Sequence, residues 1–496
     1  MSSPTLPLQQ PRIENPSDLL ETARNLLHNK RPVEAAHTLR SVLAVRPDCV
    51  EALAQLGQLF FQFNELPASL GCLQQAAKLS PKMPRLNTLM AAVLRKMGRL
   101  EESALCCEQE IRVSPEDADA HYNLALVLQI LQHTHKAIGA YQTALRLRPR
   151  YFDALLGLGN ALRQVGRTEA ALNYFAAAVR VNPSQALAHW ELGTTQLALG
   201  QFVPGWTEFE WRWKLADFTT PAPCFEQPPW DGEDLGGQRI LLHCEQGYGD
   251  LIQFSRYATL VANRGGKVIL GCPESLRSLM ETVPGVTEIV TTRRDLPPFD
   301  THAPVMSLPA IFGTTLETIP ATIPYIRPGS PSPQKSKWVE DLPGLQVGVV
   351  WAGASTHRND ANRSLALELL EPLLRLPNIH WHSLQVGGGA DQLARPEFSG
   401  KIVDLGNQFN HFDDTAAAIA ELDLVLAVDT AVAHLAGAMG KTVWLLLPFE
   451  AEWRWMIARE DSPWYPTMRL FRQSSPGNWK ELLERVAREL KAQFRV

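Results

Sequence analysis

Four places in the chain set polar side chains beside glycines or at helix starts, where a ligand can come close to the backbone. The first is Glu245-Gln246-Gly247-Tyr248-Gly249-Asp250. Gly247 and Gly249 permit a tight turn against a ligand, and the Asp250 carboxylate can act as a general base toward a hydroxyl. The same aspartate can equally cap the adjoining helix. The second is Trp351-Ala352-Gly353 with the polar loop 357–364, which carries Arg358 and Arg363. An arginine where a helix begins, here near Leu365, suits a diphosphate because guanidinium holds phosphate oxygens as a fork; an exposed basic loop has the same composition. The third is Ser383-Leu384-Gln385 ahead of Gly387, Gly388 and Gly389, a polar strand exit from which Gln385 can reach a nucleotide. The fourth is Asp429-Thr430, with His434 four positions beyond Thr430 on the same side of the helix. A helix starting there offers unpaired N–H groups and a positive dipole end to an anion. His434 then sits either beside that anion or in the core.

All four places fall at strand ends. Residues 424–447 read as an apolar strand, a polar hinge, a small-residue helix, a Gly-Lys turn and a second apolar strand. From position 239 onward short apolar runs alternate with helical segments. Strands are expected at 239–244, 267–272, 288–291 and 303–308, with helices at 251–263 and 274–283. After a proline-rich link at 320–333, further strands are expected near 346–352, 380–385, 401–404, 424–429, 442–447 and 468–472. A helix over 478–494 closes the chain. This alternation predicts parallel sheets covered on both faces. Two such halves leave a cleft at the carboxyl ends of their strands, where open α/β sheets bind ligands.

The first part of the chain has a different period. Prolines recur at 47, 81, 115, 149 and 183, a constant spacing of 34. Leu56-Gly57, Leu158-Gly159 and Leu192-Gly193 recur in phase, as do Gly98-Arg99, Gly166-Arg167 and Gly200-Gln201. A spacing of about 34 residues with these packing positions resembles the tetratricopeptide repeat. The frames are 16–49, 50–83, 84–117, 118–151, 152–185 and a degenerate 186–219, which ends in Trp206, Trp211 and Trp213. Those tryptophans are expected to seal the array or join it to the next domain. The resemblance implies a superhelix whose concave surface takes a protein or peptide, or serves as a dimerisation or docking face. The layout is similar to that of O-GlcNAc transferases. Only Asn123 stands at their asparagine-ladder position, with Gly157 one repeat later.

The pattern Asp-Thr-x-x-x-His-Leu-Ala-x-Ala-x-Gly over 429–440, with Gly249-Asp250 after the first strand, resembles heptosyltransferase-like glycosyltransferases of GT-B fold. That resemblance implies an all-α tetratricopeptide solenoid followed by two doubly wound parallel-sheet halves. It implies that Asp250 is the catalytic base and that Arg363 is a phosphate ligand; Gly249, Gln385 and Asp429, from the strand exits above, are expected to line the same donor site. Thr430 and the amides of Val432 and Ala433 would hold the diphosphate, with His434 beside it. Ala431 departs from the family's glycine. No Asp-x-Asp motif is present in these two halves, so neither metal nor cofactor is implied. The implied activity is sugar transfer from a nucleotide sugar to a hydroxyl, on a protein recruited by the repeats. A nucleotide-sugar-binding adaptor without chemistry and an epimerase are the alternatives. The aromatic loop 449–464 would stack on the donor or pack against the first half.

The resulting organisation is a disordered segment 1–15, repeats 16–219, a connector 220–238, a first half 239–319, a linker 320–340 and a second half 341–496. A net charge of −5 over 496 residues gives no general attraction to nucleic acid or anionic membranes. Apolar runs such as 442–448 are far shorter than the roughly 20 residues of a membrane span. Seven cysteines without a Cys-x-x-Cys pair fit reduced thiols and a cytoplasmic address.

Overall fold

A computed structural model describes residues 15–494 apart from 219, 223, 246, 293, 295, 330–336 and 358. The expectations for 1–14, Gln246, Arg358 and part of the linker fall outside those residues. The chain divides into two compact units, 1–165 with 180–182, and 166–179 with 183–496.

The first unit is helical. Its helices pair as Pro16–His28 with Pro32–Val45, Val50–Gln62 with Leu66–Leu79, Leu86–Lys96 with Leu100–Val113, and Ala118–Ile130 with Thr134–Leu147, followed by Phe152–Gln164. Small residues set the separation within a pair. A Cβ on Gly57 would lie 2.7 Å from Leu73 Cγ, so any side chain there would push the two helices apart. Buried serines 34 positions apart reinforce the contact: Ser69 donates to the Gly57 carbonyl and Ser103 to the Ala91 carbonyl, each at 2.7 Å. The residue between paired helices is left-handed at Lys30, Asn64, Gly98 and Gln132, with φ between 57° and 76°. Glycine takes that conformation without strain, which is why it recurs in phase.

The second unit begins with the helices Thr168–Val181 (all but its last two residues), Ala186–Ala198 and Phe202–Phe209 and a 3₁₀ turn Glu210–Lys214. Two parallel sheets come next. The first contains β1 (Arg239–His243), β2 (Lys267–Gly271), β3 (Val286–Val290) and β4 (Thr301–Pro304), in the order β3-β2-β1-β4. The second contains β5 (Leu345–Val350), β6 (Ile379–Ser383), β7 (Ile402–Asp404), β8 (Leu424–Val428), β9 (Val443–Leu447) and β10 (Met468–Arg472), in the order β10-β9-β8-β5-β6-β7. The connector runs beside β4, where Trp230 N donates to His302 O at 2.8 Å.

Three local expectations need correction. The strand expected at 303–308 is β4 at 301–304; Pro304 ends the ladder, and Pro309 fits the first turn of the helix Leu308–Ile311. The single helix expected at 251–263 is two, Tyr248–Phe254 and Ala258–Asn263, split by a 3₁₀ turn. Side chains claim the intervening carbonyls: Ser255 Oγ and Tyr325 Oη donate to Ile252 O, and Arg256 Nε donates to Gln253 O. The helix expected at 274–283 is a 3₁₀ turn, Glu274–Leu276, followed by the short helix Arg277–Glu281.

One core joins the last repeat to both sheets. Trp206 packs edge-on against Trp453, with ring centroids 5.3 Å apart, and Phe254 lies 5.7 Å from Trp464. Trp206 also donates its indole N–H to Thr314 O at 3.0 Å. Truncating one such buried ring to alanine costs roughly 3–5 kcal/mol. The aromatic loop after β9 therefore takes the packing role. A second core of Trp351, Trp381, Trp444 and Leu483 covers the opposite face of the larger sheet with the C-terminal helix Trp479–Phe494.

Candidate functional site

β8 is buried along its whole length and ends at Val428. Thr430 then takes extended backbone angles, φ −144° and ψ 166°, and begins the helix Ala431–Ala438. Its own side chain does not cap that helix start; Thr430 Oγ1 donates back to Val428 O at 3.2 Å instead. Val432 and Ala433 lie in the first turn, where amides have no partner within the helix.

Gly249 brings the first half to this point. A Cβ on Gly249 would fall 2.9 Å from His434 Cδ2 and 3.7 Å from Ala431 Cα. Its bare backbone lets the helices Tyr248–Phe254 and Ala431–Ala438 touch at their starts. This contact gives Gly249 a helix-packing role at the expected site. Gly437 does the same on the other side, where a Cβ would meet the Tyr465 ring at 2.7 Å.

Asp250 stands one residue further along, and its Oδ1 pairs with Arg454 Nη2. Arg454 also pairs with Glu452 through Nη1, donates to Gln253 Oε1 at 2.8 Å, and lies 4.3 Å over the Trp453 ring. Burial, opposed by Arg454 and reinforced by Asp429, pushes the Glu452 carboxyl up to about 7. Burial likewise raises Asp429, against the pull of the Trp455 indole N–H, Arg363 and Arg454. His434 is held well below its ordinary value by burial and then by Arg454, Arg256 and Arg363. It is therefore neutral at pH 7, shares a 2.9 Å hydrogen bond with Tyr465 Oη through Nδ1, and keeps Nε2 3.8 Å from Asp429 Oδ1. His434 is both a core residue and a neighbour of the helix start.

Arg363 reaches the same cluster from a different backbone setting than expected. It ends the short helix Asp360–Arg363, and no helix starts at Leu365. Ser364 Oγ donates to Asp360 Oδ1 at 2.8 Å and accepts Gly353 N at 2.9 Å, which turns the chain out of the helix. The guanidinium lies flat on Gly353, where a Cβ would be 2.8 Å from Cζ. Asp360 is its anionic neighbour, at 3.4 Å from Nε. His357 belongs to the cluster as well. Burial and then Arg363 lower its pKa, against Asp429, Asp360 and Asp250.

Gln385 does not face a ligand. Its Oε1 accepts Trp351 N and Ala352 N at 3.2 and 3.0 Å. Its Nε2 donates to Ala352 O at 3.0 Å and Gly388 O at 2.8 Å. The amide is spent on joining the exits of β5 and β6, so the donor-binding expectation for Gln385 is corrected to a structural one.

Sequence reasoning missed Arg454 and Glu452 as site residues. The signal was a tetrapeptide present twice, Glu210-Trp211-Arg212-Trp213 and Glu452-Trp453-Arg454-Trp455. Arg212 also pairs with the glutamate two residues before it, at 2.7 Å, and it grips Glu245 with bonds of 2.6 and 2.9 Å.

Tetratricopeptide repeat models match residues 131–171, 158–203 and 26–93. The N-terminal region is a tetratricopeptide repeat array. Such repeats are protein-interaction elements, which gives this region an adaptor role. Protein FlbA of Caulobacter vibrioides is 28% identical over 337 residues, 62% of this chain and 55% of FlbA. The chain thus spans about half the length of that relative. Among solved structures, MamA from Desulfovibrio magneticus RS-1 covers 35% of this chain and 97% of its own, at 22% identity and a TM-score of 0.32. YrrB, a tetratricopeptide protein with an unusual peptide-binding site, covers 36% and 91% at 16% identity and a TM-score of 0.31. Among the described residues no helix is long and apolar enough to cross a membrane.

Proposed function

We propose that the sheets of the second unit form a GT-B glycosyltransferase domain, which moves a sugar from a nucleotide-sugar donor to a hydroxyl acceptor. The observation carrying this reading is the contact of Gly249 with His434. It puts a carboxylate of the first half, Asp250, next to an uncapped helix start of the second. The diphosphate of the donor would sit at the amides of Val432 and Ala433, with Thr430 and Arg363 as its side-chain partners. Asp250 would take the proton of the acceptor hydroxyl, while the helix end and Arg363 stabilise the departing diphosphate. The acceptor would be a protein or peptide brought by the repeats. A screen of nucleotide sugars against co-expressed proteins, read by intact mass, tests this. A hexose- or heptose-sized mass increase is expected, and none with any donor counts against transfer.

The engagement of Asp250 by Arg454 favours a second reading, an adaptor whose nucleotide-sugar-binding domain has lost chemistry. The same screen separates the two, since an adaptor would bind a nucleotide without modifying any protein.

A further inference from the structure

The turn 245–250 is gripped at both ends by arginines from the twin Glu-Trp-Arg-Trp motifs. Each arginine sits in a 3₁₀ turn, pairs with the glutamate two residues before it, and reaches one acid of this turn. The two grips differ in access to solvent. The side chains of Arg212 and Glu245 are 1% and 0% exposed, while those of Arg454 and Asp250 are 8% and 24% exposed. Glu245 is further fixed by accepting Met306 N at 3.3 Å. Burial closes the first pair to a competing anion. The second keeps partial access to solvent through Asp250, and Arg454 acts electrostatically on both Asp429 and His434, the residues on either side of Thr430 and Ala431 in the chain.

We propose that Arg454 is an exchangeable positioning residue. In the unliganded chain it holds Asp250, and a diphosphate arriving at the Ala431–Ala438 helix start draws its charge away and frees the Asp250 carboxylate. Arg212 is the fixed counterpart that keeps the turn in place during the exchange. The inference rests on the donor-site reading above. It gives that site a gate, because the base is released only when donor is present. A phosphate competes well for the guanidinium because it offers several charged oxygens, whereas Asp250 uses one. Of the three groups that hold the guanidinium, Gln253 and Glu452 can stay in place during the exchange, since only the Nη2 bond goes to Asp250.

The test is calorimetry on the full chain with inorganic pyrophosphate, UDP, ADP and GDP. Four proteins are compared: the native chain, Asp250→Asn, Arg454→Gln and the double variant. Exchange predicts that Asp250→Asn binds the best probe about tenfold tighter, because Arg454 no longer has to leave a carboxylate. In the Arg454→Gln background the same change should gain less than about threefold, the residue of simple charge repulsion. Equal gains in both backgrounds overturn the exchange while leaving the donor site intact. Silence of the native chain toward all four probes overturns the donor site and the exchange together. If Arg454→Gln does not fold, Arg454→Lys replaces it. One ammonium cannot hold Glu452, Gln253 and Asp250 at once, so the reduced gain is expected there too.

Discussion

The Arg454 guanidinium pairs with the Asp250 carboxylate across 204 positions of sequence. The pair joins the loop after β9 to the turn after β1, and so ties the larger sheet to the smaller one at the point where both helix starts meet. If Asp250 is the base, Asp250→Asn should bind nucleotide at least as tightly as the native chain and lower transfer by about 10²- to 10⁴-fold. Initial rates against the native chain check this, and unchanged turnover removes Asp250 from the reaction.

Gly249→Ala addresses the contact that carries the proposed function. The new methyl would meet His434 Cδ2 at 2.9 Å, in a helix pair with a buried ring and little room to shift. Overpacking of this kind costs about 1–3 kcal/mol. Urea unfolding should show a lower midpoint with an unchanged slope, and an unshifted midpoint would mean that the helices are not in contact.

Gln385→Leu separates a structural amide from a ligand-facing one. The substitution leaves Trp351 N and Ala352 N without their acceptor, at a cost of about 1–3 kcal/mol. Stability should fall while nucleotide affinity in the folded fraction stays within about twofold. Lost affinity at full stability would restore Gln385 to the donor site.

Glu452 gives a pH signature. Its carboxyl holds a proton more tightly folded, near 7, than its ordinary value of 4.5. Its contribution to stability is therefore complete below about 4.5 and lost as pH rises through about 7. Glu452→Gln should flatten this fall, so the native chain loses stability relative to the variant between those limits. Thermal midpoints of both proteins across pH 4.5 to 8 measure the difference, and parallel curves would contradict it. Because a bound anion raises neighbouring carboxylates further, diphosphate binding near pH 7 should also take up protons, seen as a buffer-dependent enthalpy.

Much of the fold was legible because its signals are periodic and local. The 34-residue proline spacing marks helix pairs, since each repeat needs the same turn and the same small residue. Nearly all the strands showed as β-branched and leucine runs that stop at polar turns. The exceptions were places where side chains compete with the backbone, such as Ser255 and Arg256 breaking a helix and Ser364 ending one. Asp250, Asp429, Thr430 and His434 stand out as candidates in the sequence because they lie at strand exits or in first helical turns. Arg454 was not, because it reaches Asp250 from a loop that reads as aromatic packing. Gln385 looked free because nothing local announces that its amide bonds the backbone of a neighbouring strand.

Whether the Thr430 helix start holds a donor diphosphate is decided by titrating the full chain with UDP, ADP and GDP, in parallel with Arg363→Ala. Micromolar-range binding of at least one nucleotide is expected, weakened about tenfold or more by removing the guanidinium beside that helix start. No binding of any of the three, or binding indifferent to Arg363→Ala, would contradict a donor site there.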